Sequence, residues 1–150
     1  MNACLSQYQN TQVSTSSPEQ LLVMLYDGAI RFVCQAQDAL AAGKRKTKSE
    51  KISKTMAIIC ELANTLDHEV GGEIAENLDA LYDFMVRELI KANLQDNRQS
   101  LEGVKVLLAN LKEIWVQAIA MNQDNTVEMI ESQNQGEKKP TGNKPLPASL

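Results

Sequence analysis

The feature of this sequence that most restricts its fold is the distribution of proline. The chain has four prolines, and none of them lies between Pro18 and Pro140. Proline breaks helices because its ring removes a backbone donor and clashes with the preceding turn. Glycine is scarce in the same stretch, while the helix formers Leu, Ala, Glu, Lys and Gln are frequent. The composition therefore predicts an all-α fold and excludes all-β and collagen-like classes.

Four segments carry apolar side chains at steps of three and four residues, which is the spacing of one helix face. This spacing predicts helices over residues 18–42, 49–69, 73–94 and 98–121. The connections between these segments are short, so consecutive helices should run antiparallel. Together they predict an antiparallel up-down four-helix bundle formed by residues 17–122.

Local signals mark several of the helix ends. Ser17 and Gln20 have the spacing of a capping box, and Pro18 suits the first helical position. Gly43 can end the first helix, and the pair 71–72, both glycine, predicts a tight reversal after the second.

Two terminal segments lack this periodicity. Residues 1–16 are polar and rich in Ser, Thr, Asn and Gln, so we expect a flexible N-terminal arm. Residues 123–150 are expected to be a mostly disordered C-terminal tail, with a short extra helix near 126–131. The basic run 44–48 has two readings: a solvated loop that complements a helix C-terminus, or a contact for an anion or nucleic acid.

Charge and cysteine content exclude further classes. The net charge is −4 at pH 7 and the pI is near 5.0, which disfavours a general nucleic-acid binder. No apolar run is long enough for a membrane span, and the N-terminus lacks the order of a signal peptide. Cys4, Cys34 and Cys60 fit no metal motif and are expected to be reduced thiols in a cytoplasm, with Cys34 and Cys60 buried.

The search for catalytic motifs predicts no enzyme. The sequence contains no glycine-rich phosphate loop and no strained serine turn. His68 is its one histidine, and it is expected to be structural or solvated. We therefore expect no catalytic residues, no metal site and no cofactor, although a small enzyme that uses carboxylates alone remains an alternative.

The apolar stripes are wider than a bundle interior requires. A core stripe covers a little over 100° of a helix, whereas the second segment is apolar over about 200°. The surplus either marks an interaction site or is covered by a fifth helix, the N-terminal arm or a homodimer. Tyr26, Gly28 and Tyr82 likewise either pack between helices or border a groove for a partner helix.

Two long blocks of the sequence resemble the flagellar secretion chaperone family FliS. The first block is 16–29, SSPEQLLVMLYDGA, and the second is 66–75, LDHEVGGEIA, followed by 81–85, LYDFM. Trp115 and the arm pattern from Tyr8 to 13–15 also fit, and the resemblance covers about residues 5–120.

The resemblance implies a cytoplasmic export chaperone folded as an antiparallel helical bundle. It implies that the chain binds the disordered C-terminal segment of flagellin, prevents premature polymerisation and presents flagellin to the flagellar type III export apparatus. The implied partners are flagellin, the export gate and other flagellar regulators, without nucleic acid. In some members of the family the N-terminal arm lies over part of the client site.

The candidate client-binding residues combine the arm with the apolar faces of the helices. They are Leu5, Tyr8, Val13, Met24, Tyr26, Ile59, Leu62, Tyr82, Phe84 and Ile90. A helical scaffold or adaptor for another partner is the main alternative function, because helix content alone does not separate it from a chaperone.

Overall fold

The computed structural model describes residues 17–138, with side-chain surroundings for residues 17–124. Four helices follow one another: α1, Pro18–Ala41; α2, Arg45–Asn64; α3, His68–Gln95; and α4, Arg98–Lys138. The described residues contain no strand. The predicted all-α four-helix bundle is thereby confirmed.

Contacts between helices show that α1 runs in the opposite direction to both α2 and α4. Gly28 of α1 lies against Ile58 of α2, and Phe32, one turn further along α1, lies against Lys54, one turn back along α2. Between α1 and α4, Gln37 donates a hydrogen bond to Glu102. Ten residues earlier on α1, Asp27 forms an ion pair with Lys112, which lies ten residues later on α4. In both pairs an advance along one helix matches a retreat along the other, as in an up-down bundle.

The predicted ends of α1 are confirmed. Ser17 Oγ accepts a hydrogen bond from the Gln20 amide at 3.2 Å, and Gln20 Oε1 accepts one from the Ser17 amide at 3.3 Å. At the other end Gly43 has a φ of 73°, a left-handed conformation that glycine adopts without steric cost.

Residues 44–48 were expected to form a solvated loop that complements a helix C-terminus. The loop is wrong, since α2 begins at Arg45, but Lys48 does contact the C-terminal end of α3. Lys48 is only 3% exposed. Its ammonium donates to the Asn93 carbonyl oxygen at 3.0 Å and to a carboxylate oxygen of Asp96, which also pairs with Arg45 at 3.1 Å. A buried ammonium needs such partners, and they are supplied by the C-terminal end of α3, which is distant in sequence.

The reversal between α2 and α3 comes before the glycine pair, at residues 65–67. Asp67 caps α3, and its carboxylate accepts from the amides of Glu69 at 3.0 Å and Val70 at 3.1 Å. Gly72 lies inside α3 with φ 50° and ψ −122°, so it kinks the helix instead of ending it. Because the Asp67 carboxylate caps the helix, α3 begins earlier in the chain than the apolar periodicity alone predicts.

Helix α4 does not end near Met121 but continues to Lys138. Residues 126–131 therefore belong to α4 and do not form a separate short helix. Between Gly103 and Gly136 there is no glycine or proline to interrupt it. The later residues of the predicted tail, 139–150, and the predicted arm, 1–16, lie outside the described residues.

A boundary between Glu113 and Ile114 divides the chain into two compact units. The core of the first unit is mostly aliphatic. Its largest fully buried apolar side chains are Tyr26, Val33, Ile52, Ile59, Leu62, Met85, Leu89, Leu101, Val104 and Leu108. Trp115, the one tryptophan of the chain, falls in the second unit and is half-buried.

Replacing Asp96 with Asn should destabilise the fold in a pH-dependent way. The hydrogen bond from Lys48 is the main cause that lowers the pKa of the Asp96 carboxyl. Because the pKa of Asp96 is lower in the folded chain than in the unfolded chain, the ionised carboxylate stabilises the fold at pH values above the ordinary carboxyl pKa of about 4. This stabilisation is lost as the pH falls through the pKa of the folded chain. We therefore expect Asp96→Asn to lower the urea midpoint near neutral pH, and its difference from the parent to shrink in acid.

The matched control is Asp83→Asn. It removes an ion pair of 3.2 Å with Arg87, in which both side chains are about two-thirds exposed. Because exposed pairs contribute little, its effect at neutral pH should be smaller. Equal effects of the two substitutions, or an Asp96→Asn effect that does not change with pH, would contradict this account.

Candidate functional site

Two of the predicted site residues meet in the core of the bundle. The hydroxyls of Tyr26 in α1 and Tyr82 in α3 are 2.5 Å apart and share a hydrogen bond. Burial raises the pKa of Tyr82 above its usual range, and the bond to Tyr26 raises this pKa further. The Tyr82 phenol is therefore neutral at physiological pH, and the pair joins two helices through a mostly apolar interior.

Gly28 permits the close approach of α1 and α2 beside this pair. A Cβ atom at Gly28 would lie 3.2 Å from Cδ1 of Ile58, closer than ordinary carbon contacts. The expected role of Gly28 in helix packing is confirmed. Tyr26, Gly28 and Tyr82 thus belong to the packed interior and do not border an open groove.

The remaining predicted site residues fall into three groups. Ile59 and Leu62, like Tyr26 and Tyr82, lie in the core and are at most 2% exposed. A partner could contact these four only if the helices separated, so their part in binding stays a prediction.

Of the other two groups, one lies at least partly on the surface and the other lies outside the described residues. Phe84 is 46% exposed and Ile90 is 43% exposed, while Met24 is half-buried. Leu5, Tyr8 and Val13 lie outside the described residues. Phe84 and Ile90 are therefore the predicted site residues that present the most described surface.

Helix α3 carries two apolar rows, one on each side of its buried stripe. The first row is Ile74, Leu81 and Phe84, and the second is Val86, Ile90 and Leu94. At about 100° per residue the two rows lie about a third to half a turn apart. Ile74, Phe84, Ile90 and Leu94 are exposed, and Leu81 and Val86 are half-buried.

The sequence spacing of Ile74 places it with the core residues of α3, yet Ile74 is 70% exposed. It lies two residues after the kink at Gly72, and Val70, which is 85% exposed, lies two residues before the kink. Sequence periodicity identifies the face of a helix but does not show where the helix bends.

A shallow cavity of about 350 Å³ lies between the end of α1 and the beginning of α4. Its lining includes Leu40, Leu101 and Arg98, together with the hydrogen-bonded pair Gln37 and Glu102. The bond from Gln37 is the main cause that lowers the pKa of the Glu102 carboxyl. The lining has no nucleophile beside a base, so the cavity offers no catalytic arrangement of the known kinds.

Other chemistry is sparse in the part of the chain that the structure describes. No group of three or more His, Cys, Asp and Glu side chains is placed to hold a metal ion there. Cys34 is half-buried and Cys60 is exposed, so the expectation that both are buried is wrong. His68, as expected, is exposed, at the first position of α3. None of the helices in the described range has an apolar window long enough to cross a membrane.

Comparison with known proteins identifies the family. The model of the family "Flagellar protein FliS" matches residues 1–123. The chain belongs to the FliS family. FliS proteins are secretion chaperones of the flagellum, and a chaperone is not a class of enzyme.

Several FliS proteins are similar over most of their length. The flagellar secretion chaperone FliS of Salmonella typhimurium is 45% identical over 106 residues, or 70% of this chain and 78% of that protein. The FliS of Vibrio cholerae is 38% identical over 108 residues, 72% of this chain and 79% of that protein. The FliS of Campylobacter jejuni is 35% identical over 114 residues, 76% of this chain and 89% of that protein.

The tyrosine pair should show energetic coupling. Tyr26→Phe removes the partner of the buried Tyr82 hydroxyl, and we expect a loss of about 1–3 kcal/mol in the free energy of unfolding. In a chain that already carries Tyr82→Phe, the cost of Tyr26→Phe should be smaller. A double-mutant cycle by urea denaturation measures this coupling, and strict additivity would show that the hydroxyls do not stabilise each other.

Proposed function

We propose that this chain is an export chaperone for flagellin. It binds the disordered C-terminal segment of flagellin in the cytoplasm, prevents premature polymerisation and presents flagellin to the flagellar type III export apparatus. Membership of the FliS family supports this role, because the relatives are flagellar secretion chaperones. The proposed role requires no cofactor and no catalytic step.

The observation that carries the proposal is the pair of apolar rows on α3. A monomeric bundle usually covers such side chains, and contiguous exposed apolar surface marks an interaction site. Residues spaced four apart, such as Val86, Ile90 and Leu94, line one side of a helix and can contact a second helix laid along them. An amphipathic client helix binds in this manner, with its apolar face against a hydrophobic groove.

The half-buried methionines favour a surface that adapts to its client. Met24 on α1 and Met56 on α2 are both half-buried, and thioether side chains fit irregular partners at little cost. A client that folds on binding loses conformational entropy, so the interface must bury a large area. The rows on α3 supply exposed apolar area for such an interface.

The proposal is tested by titrating the full-length chain with flagellin and with flagellin that lacks its C-terminal segment. Calorimetry should show a 1:1 complex with intact flagellin and no measurable binding to the shortened form. Equal affinity for both would contradict the proposal. Binding of a different flagellar protein, but not of flagellin, would support an adaptor instead.

The exposed rows make a sharper prediction. Phe84→Ala with Ile90→Ala should weaken flagellin binding by about tenfold or more, because truncating an apolar anchor at a hot spot costs about 2 kcal/mol or more. The melting temperature should change little, since neither side chain is in the core.

The control for this pair is Arg87→Ala, which lies between the two positions. The Arg87 side chain is 67% exposed, and its truncation changes the polar surface without removing a side chain from either apolar row. It should retain flagellin affinity within about twofold, as expected of contacts outside a hot spot. Unchanged affinity in the Phe84 and Ile90 variant would exclude these rows as the client surface.

A further inference from the structure

Three cationic side chains surround one aromatic ring between α1 and α2. The guanidinium carbon of Arg31 is 5.5 Å from the centre of the Phe32 ring. The ammonium nitrogens of Lys51 and Lys54 are 5.6 Å and 5.7 Å from the same point. No two of these charges can therefore be more than about 11 Å apart. We call these three residues the basic cluster.

Part of this arrangement is packing. Phe32 is only 2% exposed, so the stems of the long side chains help to cover it. A cation over an aromatic ring is also attracted to the negative face of the ring. Packing explains why aliphatic stems lie over Phe32, but it does not explain why all three of them end in positive charge.

The basic cluster has no carboxylate partner among the described residues. The ion pairs found there involve Arg45, Lys48, Arg87, Lys105 and Lys112. No member of the basic cluster is within 4 Å of an Asp or Glu oxygen in this part of the chain. Within the described residues the cluster is therefore a group of three cations without a direct ion pair, on a chain whose net charge is −4.

These charges are at most about 11 Å apart, which is close to the Debye length of about 8 Å at physiological salt, so their mutual repulsion is only partly screened. An anion that binds among them relieves this repulsion. Arg31 is exposed, and Lys51 and Lys54 are half-buried, so the cluster is accessible from solvent. An Arg fork beside two ammonium groups is suited to carboxylates held close together.

The same observations disfavour a nucleic acid as the ligand. Nucleic-acid binding depends on many phosphate contacts, whereas the cluster offers three charges on an otherwise acidic chain. Single-stranded nucleic acids also stack their bases on exposed aromatic rings, and Phe32 is buried beneath the cations.

We propose that the basic cluster is a docking site for an acidic segment of a partner protein, one with two or three Asp or Glu side chains within one or two helical turns. The site is formed by Arg31, Lys51 and Lys54 between α1 and α2. It is distinct from the apolar rows of α3 and does not depend on the proposed function. It would let the chain hold a second partner by charge while a client occupies an apolar surface.

The test uses a fluorescent peptide in which Glu and Ala alternate, and a matched peptide with Gln in place of Glu. Anisotropy should show that the full-length chain binds the Glu peptide and not the Gln peptide. Binding should weaken between about 0.01 M and about 0.15 M salt, because exposed charge pairs are screened. The triple variant Arg31→Gln, Lys51→Gln, Lys54→Gln should weaken binding by about fivefold or more, since each exposed pair contributes modestly.

The control variant is Lys46→Gln, Arg87→Gln, Lys91→Gln, which removes the same net charge from exposed positions elsewhere. It should retain affinity for the Glu peptide within about twofold. If both triple variants lose affinity equally, or if the parent chain does not bind the Glu peptide, the proposal is wrong. It is also wrong if an oligothymidylate binds at the cluster as tightly as the Glu peptide.

A loss of structure would be separated from a loss of charge by a second variant. Lys51→Met with Lys54→Met keeps long apolar stems over Phe32 while removing two charges. Helical circular dichroism should be retained and binding of the Glu peptide should still fall. Full retention of Glu-peptide affinity in this folded variant would overturn the proposal.

Discussion

The structure depends on how much apolar surface four helices of unequal length can bury together. Each helix has an apolar stripe, and burying these stripes is the main favourable contribution to folding. The first unit forms a dense aliphatic interior in which Gly28 allows α1 and α2 to approach closely. Part of the apolar surface of α3, including Phe84 and Ile90, stays outside this interior. The candidate site is therefore apolar surface that the bundle leaves exposed.

Two polar contacts join separate helices within this mostly apolar interior. The Tyr26–Tyr82 hydrogen bond joins α1 to α3, and Lys48 joins the beginning of α2 to the end of α3. Buried polar groups that are satisfied in only one arrangement favour that arrangement over other packings of the same helices. Four helices with broad apolar stripes could slide along one another, and these two contacts favour one register.

Much of the fold could be predicted from the sequence because its signals are local. The capping box at Ser17 and the stop at Gly43 depend on residues within one turn, and both are found as expected. The start of α2 could not be predicted in this way, because Lys48 is stabilised by Asp96, which is distant in the chain. Asp67 likewise caps α3 earlier than the glycine pair suggested.

The candidate site was harder to predict than the fold. Periodicity identified Phe84 and Ile90 as surplus apolar residues, and both are exposed. The same reasoning included Ile59 and Leu62, which are buried, because a wide stripe does not show which of its borders a neighbour covers. The basic cluster could not be recognised from sequence, since Arg31 and Lys54 become neighbours only when α1 and α2 pack.

The position of Trp115 determines what fluorescence can report about this protein. It is the sole indole of the chain, and it follows the boundary after Glu113, outside the unit that contains the aliphatic core. Its emission follows the surroundings of this one half-buried side chain, whereas far-ultraviolet circular dichroism averages over all helices. Melting curves from the two signals need not coincide, and a difference between them would measure how independently the two units unfold.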